Sequence, residues 1–383
     1  MRFFSFFIIS AALWAWAYFH TPDIPSFKIS SDPIQSFSIY NPDLKVPMPP
    51  VKMVHSSTMA ALKDPHEILL AYFGGSREGA KDCNIYANLI QQAHYSDAFI
   101  LLDRQRLMRD SKEYIKKIGN PVLFYFNGTI HLFVVGASLG GWATSKIYHY
   151  TLTQNDTSTT KPFILHYQKE IPMSPFLNLS TLVRTRPLFI SFENDPGFIL
   201  PVYHEMAQKY ALLTFFDSSG KLIGFFKPNS ATGLLQPTIT PLNQTEYMLA
   251  FRSHKKANDT LFTQICRNDF SCAPLKKSNL KNHDSSLNLV SYQKSLYLIY
   301  NPSTLAPREK LAIAKKEWGG GTNFMPLTTL AKATNQFGEA SYPTSLVIGP
   351  QVIISYTQDR KSIRLLKIDL NKLSSTTHRK TND

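Results

Sequence analysis

Apolar runs of strand length recur along this chain with almost nothing helical between them. Residues 68–73, 122–126, 130–135, 210–216, 247–251, 296–300 and 352–356 are each rich in aromatic and branched side chains, which suit a pleated, buried surface. Turn pairs separate them: Asn127-Gly128, Ser219-Gly220, Asn243-Gln244 and Gly349-Pro350. Only residues 103–118 read as helical or irregular and highly charged. A parallel α/β fold requires helices between its strands, so it is excluded. The strand-turn-strand pattern returns roughly every 50 to 60 residues, which predicts about six units within the four to eight blades of a propeller. The expected fold is all-β, a six-bladed β-propeller, as one domain over residues 51–370. Residues 371–383 read as a disordered tail.

The first residues carry a different signal. Arg2 is followed by an apolar stretch ending in Ala15-Trp16-Ala17, the pattern of an export signal with a small-residue cleavage site. Residues 1–17 are therefore expected to direct export to a periplasmic or extracellular location. Residues 3–19 serve as a membrane anchor in the alternative, although they are short for about 30 Å of hydrocarbon. Residues 18–50 hold Pro22, Pro25, Pro33, Pro42, Pro47, Pro49 and Pro50 and read as a linker or edge segment.

Three cysteines rule out a disulfide-dense scaffold and a four-cysteine zinc site. Cys266 and Cys272 could close a small loop, leaving Cys83 alone. No P-loop, GxGxxG, HExxH, CxxC or GxSxG motif occurs, and neither a cofactor nor a metal is expected. With 41 basic against 27 acidic residues the net charge is +14. That excess fits an acidic partner such as an acidic glycan or an anionic envelope surface. Nucleic acid is not expected, because no RNA-binding fingerprint or concentrated basic stripe is present.

Several segments, taken in order, resemble the sialidase superfamily, in its predicted-neuraminidase branch of six-bladed propellers. They are His55-Ser56-Ser57; Gly74-Gly75-Ser76-Arg77-Glu78-Gly79 with Asp82; Gly119-Asn120-Pro121; Gly140-Gly141-Trp142; Leu182-Val183-Arg184; and Tyr203-His204-Glu205. Further on stand Gln236-Pro237 leading to Phe251-Arg252, Arg308-Glu309, Glu339-Ala340-Ser341-Tyr342-Pro343, and Tyr356 to Arg360. The family's Asp-box turn is nowhere intact. Residues 315–324, 266–269 and 153–156 look like eroded copies.

The resemblance implies a glycoside hydrolase with Asp82 as general acid/base and Tyr342 as nucleophile. Tyrosine suits a sugar whose anomeric carbon already bears a carboxylate, which would repel an ionised Asp or Glu. Asp82 must start protonated, so burial or the nearby Glu78 is expected to raise its pKa. Arg252 and Arg308 match two arginines that grip the substrate carboxylate through a planar, permanently charged fork. His55 stands where a third is expected, and Arg184 is a candidate to compensate. Gln236 takes the place of the glutamate that normally serves the tyrosine, which leaves Glu205 as the nearest substitute. Arg77, Glu78 and Tyr203 complete the expected substrate-binding set. Two alternatives stand beside this reading: a lyase or uronic-acid-directed enzyme using His55, His204 and Tyr203, and a glycan-binding propeller without turnover.

Overall fold

The computed structural model describes residues 2–19, 23–30, 45–64, 66–91, 94–155, 161–173, 178–193, 195–254, 260–303, 308–319, 321 and 323–373. Arg2–Phe19 is an α-helix, and no helix among the described residues is long and apolar enough to cross a membrane. The helix expected in the charged segment spans Arg104–Ser111, and Asp103 caps it by accepting a hydrogen bond from the Arg106 amide at 2.7 Å.

The remaining described secondary structure is antiparallel sheet, apart from a short 3-10 turn at Gly141–Thr144 and a helical end at residues 370–373. Six sheets form in chain order, and their innermost strands contact one another in sequence, with the first also meeting the last. The result is a closed ring of six blades. The inner strands are Met53–Ala61, Lys117–Phe126, Thr181–Val183 with Leu188–Phe192, Leu234–Pro241, Asn288–Tyr292 and Ala340–Ile348. Met53–Ala61 is buried at every position, whereas Met325–Lys332, the outer strand of blade 5, is mostly exposed. Inner strands lie between two neighbouring blades, so both faces must be apolar. This explains why their sequences read as continuous runs rather than alternations.

The core is correspondingly a ring of six separate apolar clusters, one in each seam between adjacent blades. The seam that closes the ring packs Val54, Leu70 and Tyr72 of blade 1 against Leu346, Ile353 and Leu365 of blade 6. Hydrogen bonds reinforce it: the Val54 amide donates to the Arg360 carbonyl at 2.9 Å, and the Ser57 and Ser355 hydroxyls share one at 2.8 Å. Within the expected linker, Phe27–Ile29 is a paired strand on Leu188–Phe192, with Phe27 packed on Phe192, Phe215 and Phe270. Cys266 and Cys272 are disulfide-bonded and Cys83 is free and buried. The turn at the eroded box of residues 266–269 and that at Asp217 each join the third and fourth strands of their blades. Asp217 caps its own turn by accepting from the Ser219 and Lys221 amides at 2.9 Å each.

Four inner strands carry the same irregularity. Ser56-Ser57, Asn120-Pro121, Gln236-Pro237 and Tyr342-Pro343 each set two residues opposite one on the neighbouring strand. The first residue of each pair is left-handed, with φ of 57°, 41°, 44° and 55°. A non-glycine residue there is strained, and a following proline disfavours helical conformations further. Packing in the closed ring holds these bulges, and they re-aim side chains near the mouth.

Candidate active site at the axial mouth

The starts of the inner strands and the loops joining second to third strands open on one face of the ring. Every site residue expected from the sequence lies on that face or just beneath it. Seven of the eleven gather near the axis: His55, Arg184, Tyr203, Gln236, Arg252, Arg308 and Tyr342. Arg77, Glu78, Asp82 and Glu205 stand on the rim.

Tyr342 is the hub. Its hydroxyl accepts a hydrogen bond from Arg252 Nη1 at 3.2 Å, and the guanidinium carbons of Arg184 and Arg308 lie 5.1 and 5.2 Å from its ring centroid. Arg252 is also held by Asp284, its Nε donating to Oδ1 at 2.7 Å, and His254 approaches the same oxygen at 3.2 Å. Burial alone would raise the Asp284 pKa, but Arg252 and His254 outweigh it and hold the carboxyl below its usual range. Burial likewise opposes the Arg252 charge, and Tyr342 and Asp284 more than restore it. Arg308 donates to the Asp284 carbonyl at 2.9 Å and to Glu339 Oε2 at 3.4 Å.

A third mouth arginine, with no role expected from the sequence, is Arg360. It reaches Glu339 at 3.0 Å and Glu78 at 2.6 Å, tying blade 6 to the blade 1 loop. Asp284 was equally unforeseen, since an isolated acid after a histidine carries no pattern of its own, and Glu339 was given no role although it opens a segment that resembles the family. Arg360 did carry a signal, standing at the end of a segment that resembles the family. Asp284, Arg308, Phe337, Glu339 and Arg360 line an open depression, and Phe337 is 85% exposed.

Four expectations need correction. His55 is 1% exposed, with its ring 4.1 Å from that of Tyr342. Burial first, then Arg360, Arg308, Arg184 and Arg252, pushes its pKa far down, so it stays neutral and brings no positive charge to replace an arginine. Arg184 is 1% exposed and donates to backbone carbonyls: Ser57 at 3.2 Å, Tyr342 at 2.7 Å and Pro343 at 3.3 Å. It is a strut from blade 3 to blades 1 and 6 rather than a ligand at the mouth, and burial pushes its pKa down to about 10. Asp82 is exposed, neither buried nor set against Glu78. Its two oxygens accept from the Ser76 amide and hydroxyl, both at 2.9 Å, and Glu78 turns to Arg360. Glu205 lies 3.7 Å from Lys209, and no carboxylate among the described residues accepts a hydrogen bond from the Tyr342 hydroxyl.

Gln236 serves the other tyrosine. Its Nε2 donates to the Tyr203 hydroxyl at 3.3 Å, as does Asn120 Nδ2 at the same distance. Tyr203 is buried, which keeps its phenol protonated. His204 stacks on Tyr210 with centroids 4.8 Å apart, and Arg77 is exposed.

The BNR repeat-like domain family matches residues 66–354. The chain belongs to that family. No curated protein matches the sequence. Among solved structures, this BNR repeat-like chain is similar to Trypanosoma rangeli sialidase in complex with the inhibitor DANA, with a TM-score of 0.62 and 9% identity. That match covers 90% of this chain and 60% of the sialidase, so the chain spans less than two thirds of that protein. It is similar also to the GH93 α-L-arabinofuranosidase of Fusarium graminearum with arabinobiose, at a TM-score of 0.60 and 11% identity over 88% of this chain and 99% of that one. The phage phi92 endosialidase matches at a TM-score of 0.58 and 8% identity, over 85% of this chain and 68% of its own. The fold is thus the sialidase-like six-bladed propeller, shared by proteins whose named ligands include both acidic and neutral sugars.

Proposed function

We propose that this chain is an exported sialidase-like glycoside hydrolase acting on an acidic glycan, with its catalytic centre at Tyr342. The observation that carries the reading is the arginine surround of that tyrosine: Arg252 on its hydroxyl, Arg308 beside its ring and Arg360 across Glu339. Guanidinium groups so placed bind a sugar carboxylate and offset negative charge developing on the reacting phenolic oxygen. In this mechanism Tyr342 gives up its phenolic proton to a water at the mouth, its oxygen bonds to the anomeric carbon as the glycosidic bond breaks, and Asp82 delivers a proton to the leaving oxygen. Water, deprotonated by Asp82, then cleaves the glycosyl-tyrosine. The loop bearing Asp82 must exchange its Ser76 contacts for the substrate, as catalytic hydrogen bonds often tighten only in the complex.

A second reading, a glycan-binding propeller without turnover, is favoured by one feature. Gln236 donates to Tyr203 where a carboxylate facing Tyr342 would serve as base. A panel of fluorogenic sialosides, uronides and arabinosides separates the two. Turnover that vanishes in both Asp82→Ala and Tyr342→Phe supports the hydrolase. Saturable binding without product supports the second reading, and release of an unsaturated, ultraviolet-absorbing product overturns both in favour of a lyase.

A further inference from the structure

Lys117 opens the inner strand of blade 2 and is 9% exposed. Its ammonium makes no hydrogen bond and no ion pair with any described residue. The ammonium lies over the face of Trp142, 3.8 Å from Nζ to the ring centroid. Most of its stem is buried while the charge at its tip is left without an anionic partner, and cation–π attraction contributes only about 1 to 2 kcal/mol. Burial lowers the Lys117 pKa, with Glu78 and Glu205 opposing from further off. Neither acid is available to it, since Glu78 pairs with Arg360 and Glu205 lies beside Lys209.

The surroundings keep one approach open. Gly79 and Gly141 flank the ammonium, and a Cβ on either would stand 3.3 or 3.7 Å from Nζ. Both are left-handed, at φ 75° and 72°, so the turns that present Lys117 also strip its neighbourhood of side chains. Gly119 fits against the far edge of Trp142, where a Cβ would meet Cη2 at 3.1 Å. The site opens on the mouth face, because Lys117 begins an inner strand and Trp142 lies in the loop joining the second and third strands of blade 2. Blade 2 stands opposite blade 5, which carries Arg308.

We propose that Lys117 and Trp142 form a second anion subsite, taking the carboxylate or sulfate of a sugar adjoining the one held by the arginines. The preferred substrate is then an oligosaccharide with at least two acidic residues. This rests on the acidic-glycan reading for the sugar, but not for the anion site itself.

Two measurements on the full chain test it. In the first, sulfate replaces chloride at constant ionic strength while indole fluorescence is followed in a Trp318→Phe background. Drawing the ammonium from Trp142 gives a saturable change that Lys117→Met abolishes; no saturable change, or one that survives Lys117→Met, overturns the site. In the second, calorimetry compares a sialic acid monomer and a galacturonate monomer with their dimers. At least a tenfold advantage for one dimer is expected, lost in Lys117→Met with monomer affinity unchanged and partly kept in Lys117→Arg. A dimer advantage that persists in Lys117→Met overturns the substrate assignment. Saturable sulfate binding with no sugar binding at all leaves the anion site standing and overturns the acidic-glycan reading instead.

Discussion

Arg252 and Tyr342 share a hydrogen bond of 3.2 Å across the axis although they are 90 residues apart, in blades 4 and 6. The same guanidinium binds Asp284 at 2.7 Å, so one side chain couples the candidate nucleophile to a carboxylate that never touches it. Arg252→Ala removes both contacts and leaves a partly buried acid without its main partner. The expected cost is about 2 kcal/mol in stability, read as a lower urea midpoint. Asp284→Asn in that background recovers most of it. Acidic-sugar binding, measured by calorimetry, falls at least tenfold in Arg252→Ala and is not rescued by Asp284→Asn.

Arg184 holds the ring shut from inside. Its bonds to the Ser57, Tyr342 and Pro343 carbonyls span three blades, and two of those carbonyls belong to the strained bulge at Tyr342. Arg184→Met strands these acceptors and is expected to cost about 3 kcal/mol in guanidinium unfolding. In a folded preparation, kcat falls more than KM rises, because the nucleophile loses its backbone support while the mouth arginines remain.

Phe337 projects from a turn pinned by other residues. Its amide donates to Asn335 Oδ1 at 3.0 Å, and Asp359 accepts from Glu339 at 3.1 Å and from the Thr334 hydroxyl at 2.6 Å. A rigid, exposed ring beside Arg308 offers an apolar face to a sugar held by the arginines. Phe337→Ala is expected to leave the unfolding midpoint within about 0.5 kcal/mol of wild type. Glycan affinity falls about tenfold in the same variant, measured by calorimetry.

The propeller was readable because inner strands sandwiched between blades must be continuously apolar, and the turn pairs mark where each run ends. Tyr342, Arg252 and Arg308 were readable because each follows or opens such a run within a segment resembling the family. Asp284 was not, and Glu339, although it opens such a segment, was given no role. They are single acids at strand ends, and what makes them matter, the approach of blades 5 and 6 to Arg252 and Arg308, exists only once the ring has closed. The surroundings of Glu205 and Asp82 were not legible either: loop geometry sets Glu205 beside Lys209 and Asp82 on Ser76. The recurrence of Asn120-Pro121, Gln236-Pro237 and Tyr342-Pro343 was written in the chain. Their equivalence rests on shared register and positive φ, which the dipeptides alone do not show.

Acid should destabilise this protein before its carboxylates titrate. His131 and His149 are stacked in the blade 2 core, with Nδ1 of one 3.0 Å from Nε2 of the other. One nitrogen must donate and the other accept, so the pair requires a neutral ring at the accepting position. Burial pushes His131 down to about 4, and burial together with its partner pushes His149 well below the ordinary value. In the unfolded chain both bind protons near pH 6.5. Between there and pH 4 the unfolded state therefore holds more protons than the folded one, and stability falls as pH falls. It is fully present above about pH 6.5. From His131 alone the loss by pH 5 is about 2 kcal/mol, and neutral, buried His55 adds to it with the same sign. Urea midpoints at pH 7.5 and 5.0 should differ accordingly, and His131→Gln, which cannot be protonated, should flatten the slope between them. An unchanged slope in that variant would remove the histidine pair as the cause.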